Sequence, residues 1–276
     1  MQLRAGYELI YTLPQPTPAI LLLNVHSERI ADLRTPDKIT ISSSVSSAVP
    51  MTHYRDTFGN LCCRVVLPAG KIKISGDTIV NDAGRTDPVV RTAPQVPVEQ
   101  LPEDALVFLL PSRFCESDQF LNLAWELFGA VKPGWPRVEA ICNFVHNHIK
   151  FGYEHARPTR SAAEAYRERQ GVCRDYAHLA ISFCRALNIP ARYCTGHLGD
   201  VGTPPPYGPG DFAAWFEAYL GGKWQTFDPR NNTPRIGRIL IARGRDAADV
   251  AITTTFGPNT LDSFRVWCDE VVEARV

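Results

Sequence analysis

The chain has 276 residues, of which 45% are hydrophobic and 21% are charged, and its 29 basic and 29 acidic side chains cancel. This length accommodates one large domain or two ordinary ones, each with its own core. The balanced charge gives no general electrostatic basis for binding nucleic acid or an anionic membrane. Neither is therefore expected as a partner.

Two features of the sequence bear on location. No run approaches the roughly 18 apolar residues of a membrane span, and the first residues lack the basic patch and long apolar run of a signal peptide. The eight cysteines include the adjacent pair Cys62 and Cys63, an awkward arrangement for two separate disulfides. We therefore expect free thiols and a cytoplasmic protein.

Residues 1–85 are predicted to form a small all-β domain. Runs rich in β-branched and aromatic residues alternate there with Pro and Gly breakers, without a helical period. The predicted strands are Tyr7–Leu13, Ala19–Val25, Ile39–Ser44, Leu61–Leu67 and Lys71–Val80. We expect an antiparallel sandwich or barrel, followed by an extended linker over residues 86–105, which are rich in Pro, Asp and Thr.

Residues 106–276 are predicted to form an α+β domain in which helices precede strands. The expected helices are Ser117–Phe128, one with Pro136 in its first turn, a short one opened by the capping box Ser161–Glu164, and the segment CRDYAHLAISFCRALNIP. The expected strands are Ala191–Leu198, Phe212–Leu220 and Lys223–Asp228.

Cys173 stands where a predicted helix begins, directly after Gly171 and Val172. A thiol in the first turn of a helix faces unpaired backbone N–H groups and the positive end of the helix dipole. Both favour the thiolate, so this position predicts a lowered pKa and a nucleophile beside N–H groups that can form an oxyanion hole. Position alone leaves open the alternative of a small buried residue at a junction between elements.

The Gly221–Gly222 pair predicts a two-residue hairpin loop, which makes Leu220 the partner of Lys223. Counting back along both strands, Ala213 and Asp228 become diagonal neighbours on one face, roughly 7–8 Å apart between Cα atoms. The same count predicts the pairs Trp215 with Asp228 and Ala213 with Arg230. The opposite face is expected to face the core and carries Ala214, Phe216, Ala218 and Leu220.

A histidine at position 213 would complete a catalytic triad. It would donate one ring N–H to the Asp228 carboxylate and turn its other nitrogen towards a thiol at the helix start. The alanine in this chain can do neither.

The same segments carry a family resemblance. GVCRDYAHL around Cys173, followed by AAWFEAYLGGKWQTFDPR, resembles the bacterial transglutaminase-like family, whose members are provisionally assigned as cysteine proteases. The family motifs run Gly-x-Cys, His-Ala-Trp-x-Glu-x-Tyr and Trp-x-x-x-Asp-Pro, and the likeness covers about residues 110–255. It implies a papain-like, transglutaminase-like α+β core. The first 85 residues are similar to the β region often fused to that core.

The resemblance also implies an activity. Cys173 matches the family nucleophile and Asp228 the residue that orients the base, while the family histidine falls on Ala213. Family members transfer acyl groups at amides: the thiolate attacks a carboxamide or peptide carbonyl, and water or an amine resolves the thioester. The implied partners are a peptide, protein or amide substrate and an amine acceptor, and no metal or organic cofactor is required.

Ala213 is open to three interpretations. It is an engineered inactivation, or the mark of a natural pseudoenzyme that binds peptides without turnover, or another group serves as base. The other histidines considered for that role are expected to be structural and are His146, His148, His155, His178 and His197. Because a proton-transfer partner is missing, we expect the chain to be catalytically impaired.

Three further residues are expected to contact the substrate. Trp215 and Glu217 share a strand face with position 213, so Trp215 is a candidate wall of the acyl site, and a partly buried hairpin aromatic is the alternative. Tyr153, shortly before the nucleophile segment, is a candidate substrate or oxyanion contact.

Overall fold

The structure is a computed structural model that describes residues 1–43, 49–205 and 207–272. Ser44, which ends the predicted strand Ile39–Ser44, lies outside the described residues, as does the end of the predicted range 106–276. None of the helices in the described residues is long and apolar enough to cross a lipid bilayer.

The elements follow one another as strands first, then helices, then strands again. The strands are β1 Gln2–Leu13, β2 Thr17–Leu21, β3 Thr40–Ser43, β4 Met51–Arg55, β5 Leu61–Leu67, β6 Gly70–Asn81, β7 Lys150–Phe151, β8 Gln170–Gly171, β9 Ala191–Leu198, β10 Phe212–Leu220, β11 Lys223–Phe227, β12 Arg238–Gly244, β13 Thr253–Thr255 and β14 Thr260–Glu270. The helices are α1 Glu103–Leu106, α2 Leu121–Phe128, α3 Trp135–His148, α4 Ala162–Glu168 and α5 Cys173–Ala186. Short 3-10 helices lie at Ser27–Asp32, Val98–Gln100, Val107–Leu109, Ser117–Phe120 and Tyr153–His155.

The N-terminal strands form a sandwich of two four-stranded sheets, ordered β14-β1-β6-β3 and β13-β2-β5-β4. Side chains alternate along each strand, so one face of each sheet contributes to a shared core. Tyr7 from β1, Leu21 from β2 and Leu67 from β5 are buried in that core. This architecture confirms the predicted α+β fold class with a sandwich-like, all-β N-terminal part.

The predicted N-terminal strands are present, and β4 is an additional one. Four of its five residues are exposed, so it lacks the alternation of buried and exposed positions on which strand prediction depends. β4 pairs with β5 at the edge of its sheet.

The domain boundary predicted at the C-terminal end needs a correction, because the chain returns to the sandwich. β14 pairs with β1 from Leu3↔Glu270 to Thr12↔Thr260, and β13 pairs with β2. The range 106–276 therefore includes strands that belong to the N-terminal sandwich. A strand's partner this far away in the chain leaves no local signal in the sequence.

The predicted linker, residues 86–105, is mostly exposed but follows the second half of the chain closely. Thr86 forms an isolated bridge with Ile236, and Gln95 forms one with Leu220. Its end contains the 3-10 helix Val98–Gln100 and the start of α1.

The predicted helices are present with differences at their ends. The segment Ser117–Phe128 is a 3-10 turn followed by α2. The capping box forms at the start of α4, where the Ser161 hydroxyl accepts the Glu164 N–H at 3.4 Å and the Glu164 carboxylate accepts the Ser161 N–H at 2.9 Å. α4 then ends because Arg169 adopts the left-handed conformation with φ of 54°.

The second half of the chain is built around α5. A four-stranded antiparallel sheet, ordered β11-β10-β9-β12, packs against one side of this helix, and α3 and α4 pack against other sides. Every α5 residue from Asp175 to Ala186 is buried as a result. The predicted core face of β10 is confirmed, since Phe216 and Leu220 are fully buried there.

The connection between β9 and β10 lies directly on β14 through two glycines. A Cβ on Gly199 would collide with the carbonyl oxygen of Cys268, and one on Gly210 would collide with that of Val266. Only glycine permits such a close approach of two backbones. The sandwich and the second sheet therefore meet at this connection.

Gly199→Ala should lower the free energy of unfolding by about 1–3 kcal/mol, because the added methyl group overpacks this contact. Urea unfolding followed by circular dichroism measures the loss. Gly208→Ala in the same connection is the matched control, since a Cβ there meets no atom within 4 Å. Equal losses in the two variants would show that the contact with β14 is not the cause.

Candidate active site

Cys173 is the first residue of α5 and is partly exposed. The chain reaches it through β8, which pairs in parallel with β7, and through Val172, whose backbone is extended. The other seven cysteines are free and buried. Cys173 is thus the one cysteine of the eight that is not classed as buried, and it stands at a helix start.

A buried ion pair holds that helix start in place. The Asp175 carboxylate accepts the Val172 N–H at 2.9 Å and lies 3.1 Å from the Arg160 guanidinium. The two side chains are 0% and 4% exposed, respectively. Arg160 also donates to the His155 carbonyl and to Glu168. The first turn of α5, and Cys173 with it, is therefore fixed to the loop before α4.

Cys173 lines a cavity of about 500 Å³. Tyr153 contributes from the segment before α4, Asp211 and Ala213 from the start of β10, and Arg230 from the turn after β11. The last residues of β14 complete the lining, so the sandwich supplies part of the wall.

The thiol environment differs from the expected one. Burial raises the pKa of Cys173 to about 12, and the charges of Asp211 and Asp228 act in the same direction. The N–H groups of Ala214 and Arg174 point at the sulfur and favour the thiolate, as expected at a helix start, but they are outweighed. The lowered pKa predicted from position was wrong because the sequence revealed neither this burial nor the approach of Asp211.

The hairpin register is confirmed close to its loop and fails further away. Leu220 pairs with Lys223, and the ladder runs to Phe216↔Phe227. The predicted pairs of Trp215 with Asp228 and Ala213 with Arg230 do not form, because β11 ends at Phe227. Pro229, two residues after Phe227, has no N–H for a ladder.

Asp228 is held in the turn after β11. Its carboxylate accepts the Asn231 N–H at 2.9 Å, the Asn231 side-chain amide at 2.7 Å and the Arg238 guanidinium at 2.8 Å. Burial acts to raise the pKa of Asp228, but Arg238 and the Asn231 N–H groups outweigh it and lower that pKa. The carboxylate is therefore ionised, and Arg238 from β12 is a partner that the sequence did not reveal.

Ala213 and Asp228 line different hollows. Ala213 lines the cavity with Cys173, whereas Asp228 lines a smaller hollow of about 170 Å³. The cross-strand partner of Ala213 on β9 is Gly196, and Ala213 packs against the cluster of Cys194, Trp215 and Leu240.

The three expected substrate contacts divide into two groups. Tyr153 is 43% exposed and lines the cavity. Trp215 and Glu217 are buried outside it: Trp215 lies beneath the Arg238 guanidinium, and Glu217 forms ion pairs with Arg192 and others. The expectation that these two residues touch substrate is wrong, because arginine side chains from β9 and β12 cover their strand face.

Of the described residues that line the cavity, none is a histidine. His146 and His148 bond to backbone carbonyls, and His155 belongs to a 3-10 helix beside Glu154. His178 is fully buried and accepts the Ala247 N–H at 3.1 Å. These placements favour the structural roles expected for them.

His197 is buried within β9. Burial lowers its pKa from 6.5 to about 4. The folded protein therefore keeps this ring neutral across a pH range in which the unfolded chain takes up a proton.

The lower pKa of His197 in the folded state predicts a loss of stability as the pH falls from about 6.5 to about 4. The loss from His197 amounts to about 3 kcal/mol. Above that window both states are neutral at His197, and below it both are charged. His197→Gln should flatten this part of the profile of unfolding free energy against pH, measured in urea at pH 7, 5.5 and 4.5. His53→Gln, at an exposed position, should leave the profile unchanged, and a flattening of equal size there would contradict the assignment.

Several cavity residues were not singled out from the sequence. Asp211 and Arg230 carried a signal, since each lies within two residues of a motif position, Ala213 or Asp228. The β14 residues carried none, because their approach depends on sheet pairing with β1. Within the described parts of the chain, no group of three or more His, Cys, Asp or Glu residues is arranged to hold a metal ion.

Comparison with known proteins gives a family match and a full-length structural likeness. A family model described as the transglutaminase-like superfamily matches residues 122–229. A solved structure from Cytophaga hutchinsonii, of a protein provisionally assigned as a cysteine protease, has a TM-score of 0.82 and 28% sequence identity to this chain. The likeness covers 100% of this chain and 92% of that one.

Two uncharacterized mycobacterial proteins match shorter stretches. One from Mycobacterium leprae is 36% identical over 97 residues, which is 33% of this chain and 33% of the relative. One from Mycobacterium tuberculosis is 32% identical over 133 residues, which is 43% of this chain and 41% of the relative. The matched stretches thus span well under half the length of these relatives.

Proposed function

The chain carries a transglutaminase-like domain over residues 122–229, and from this we propose that its site is built for cysteine-dependent acyl transfer at amide or peptide bonds. The observation that carries the proposal is the placement of Cys173. It is a partly exposed thiol at a helix start, lining a cavity, with the N–H groups of Ala214 and Arg174 directed at its sulfur.

In the proposed reaction the Cys173 sulfur attacks the carbonyl carbon of a peptide or protein amide. The C–N bond breaks, the amine leaves with a proton, and a thioester to Cys173 remains. Water or a second amine then releases the acyl group and regenerates the thiol. The two N–H groups near the sulfur would stabilise the oxyanion of the tetrahedral intermediate. Tyr153 is placed to contact the substrate, while Trp215 and Glu217 would support the strand from behind.

Position 213 decides how well this site works. A histidine there would take the thiol proton and later return it to the leaving amine, and Asp228 would orient its ring. With Ala213 this step has no histidine, and burial raises the pKa of Cys173 to about 12. We propose that the present chain is catalytically impaired for this reason. As part of the same proposal we place it in the cytoplasm, where its eight free cysteines would stay reduced.

A second function is favoured by the same alanine. A chain that keeps the cavity but lacks the base would bind peptides or act as a scaffold without turnover. The two functions differ in one measurable respect, because only the enzyme forms a covalent acyl adduct once a base is supplied.

The test is intact-mass analysis of the Ala213→His protein after incubation with a panel of peptide and carboxamide substrates. We expect an added acyl mass that maps to Cys173 and is absent from an Ala213→His, Cys173→Ser double variant. If the single variant forms no adduct, while the unchanged chain binds the same peptides in a calorimetric titration, the non-catalytic function is correct.

A further inference from the structure

One arginine of the cavity lining has no acidic partner. Arg230 lies in the turn after β11, is partly buried and lines the cavity together with Cys173. Its Nη1 donates to the Asn231 side-chain oxygen at 2.6 Å. Among the described residues no carboxylate forms an ion pair with Arg230, and its Nε and Nη2 groups have no hydrogen-bond partner there. These N–H groups are therefore available to a ligand.

The next four arginines along the chain differ from Arg230 in this respect. Each of them lies between 2.8 and 3.6 Å from a carboxylate oxygen. The pairs are Arg235 with Asp200, Arg238 with Asp228, Arg243 with Glu217 and Arg245 with Asp249. Of the two arginines that line the cavity, Arg235 is thus engaged within the protein, whereas Arg230 is not.

Three contacts hold Arg230 in a defined orientation. The His146 ring donates to its backbone carbonyl at 3.1 Å. The guanidinium lies over the Phe151 ring, with Cζ 4.3 Å from the ring centroid, and Asn231 fixes Nη1. A guanidinium stacked on an aromatic face keeps its N–H groups free at the edge of its plane. Because the side chain is already ordered, binding a ligand costs little further rotamer freedom.

Phe151 connects this arginine to the nucleophile segment. Phe151 of β7 is paired with Gly171 of β8, and Gly171 stands two residues before Cys173. The ring of Tyr153 packs edge-on against Phe151, with 5.2 Å between the centroids. The hydroxyl of Tyr153 has no hydrogen-bond partner in the described part of the chain. Arg230 and Tyr153 thus bring unpartnered N–H and O–H donors to the same part of the cavity.

We propose that Arg230 binds a carboxylate group of the peptide substrate, with Tyr153 as a second donor, so that the site selects acidic peptides. This inference rests on the proposed acyl-transfer function. A planar guanidinium binds a carboxylate through two parallel N–H···O bonds, and Nε and Nη2 form the pair of donors that is free for it. The carboxylate belongs either to an acidic side chain or to the C-terminus of the peptide.

The carboxylates of the lining leave Arg230 unpaired. Asp200 pairs with Arg235, and Asp269 and Glu270 are exposed at the end of β14. Asp211, before β10, also lines the cavity, and its charge opposes an anionic ligand. We therefore expect a moderate preference for acidic peptides.

The experiment is a calorimetric titration of the unchanged chain with matched peptides. The neutral probe is the N-acetylated amide of Ala-Ala-Gln-Ala-Ala. Acidic probes carry Glu at each Ala position in turn and are compared with Gln at the same position, and a further probe has a free C-terminal carboxylate. The preferred carboxylate peptide should bind about tenfold more tightly than its neutral counterpart. A preferred Glu position assigns the carboxylate to a side chain, and a preferred free terminus assigns it to the chain end.

Arg230→Gln should abolish this preference. The Kd of the carboxylate peptide should rise about tenfold, whereas that of the neutral peptide should not change, which shows that the cavity is still folded. Arg230→Lys keeps the charge without the planar pair of N–H groups and should keep only part of the preference. Arg113→Gln is the matched control, since Arg113 is exposed and stacks on Phe114 at 4.6 Å but does not line the cavity. It should leave the preference unchanged.

Equal affinity of the unchanged chain for carboxylate and neutral peptides would overturn the assignment, as would a preference that survives in Arg230→Gln. Because the readout is binding, it is independent of acyl transfer. If the Ala213→His protein forms its adduct while the unchanged chain shows no preference, the proposed function stands and the carboxylate site is wrong. If Arg230→Gln abolishes a preference but no adduct forms, the carboxylate site stands and acyl transfer is wrong.

Discussion

Replacing Ala213 by histidine should raise the rate of acylation of Cys173 by about 10²- to 10⁴-fold, the range that a positioned proton-transfer group supplies. Position 213 lines the cavity, so a ring there would extend into it. Asp228 is kept ionised by Arg238 and Asn231 and is the carboxylate that would orient the ring. The rate is measured as the release of p-nitrophenol from a p-nitrophenyl ester during the first turnover.

The pH dependence of alkylation gives an independent measurement. With a Cys173 pKa of about 12, only about 10⁻⁴ of the thiol is ionised at pH 8, and the iodoacetamide rate should rise about tenfold per pH unit from 7 to 9. In Ala213→His the imidazolium would favour the thiolate of Cys173. The alkylation rate should therefore increase less steeply with pH. Ala213→Asn is the control, since it adds a polar side chain that cannot accept the proton. An equal acceleration of acylation in that variant would exclude a base at position 213.

Arg160→Met should lower the free energy of unfolding by about 1–3 kcal/mol, because the buried Asp175 carboxylate loses its shorter ion pair and keeps only Arg174, at 3.6 Å. The Asp175 side chain is fully buried and faces Arg160 at 3.1 Å. It also accepts the Val172 N–H and therefore stays in the first turn of α5 after the substitution. A methionine fills much of the volume but provides no positive charge.

Arg157→Met is the matched control for this experiment. Arg157 lies in the same loop and forms ion pairs with Glu164 and Glu168, but its side chain is 39% exposed, so the expected loss is about 0–1 kcal/mol. Urea unfolding at pH 7 measures both variants. Losses of the same size would mean that the buried pair does not stabilise the helix start. In Arg160→Met, Asp175→Asn, part of the stability should return, because the amide oxygen still accepts the Val172 N–H.

The features that could be predicted from the sequence are those encoded within a few residues. The capping box at Ser161, the hairpin loop at Gly221–Gly222 and the start of α5 at Cys173 each depend on neighbouring positions. Turn chemistry and caps are local, so the sequence identifies them directly. The fold class could be predicted because each strand and helix has its own local signal, and their order along the chain (strands, then helices, then strands) indicates an α+β fold.

The features that could not be predicted depend on parts of the chain that meet only after folding. Arginine side chains from β9 and β12 cover Trp215 and Glu217, which the alternation along β10 alone left open to solvent. The raised pKa of Cys173 has its main cause in burial, which no single segment encodes. The position of Asp228 beyond the ladder is an intermediate case, because Pro229 was visible in the sequence as a strand terminator.

The pairing of β1 with β14 also bears on how the protein is made. β1 is synthesised first among the described strands and β14 last, so one edge of β1 has no partner until the residues up to Glu270 have left the ribosome. An unpaired strand edge is open to association with other chains. We expect folding of the sandwich to be late and slow, as for other sheets closed by distant contacts. The cavity wall that β14 supplies is then completed only in the last step, so the thiol would meet substrates in a fully folded protein.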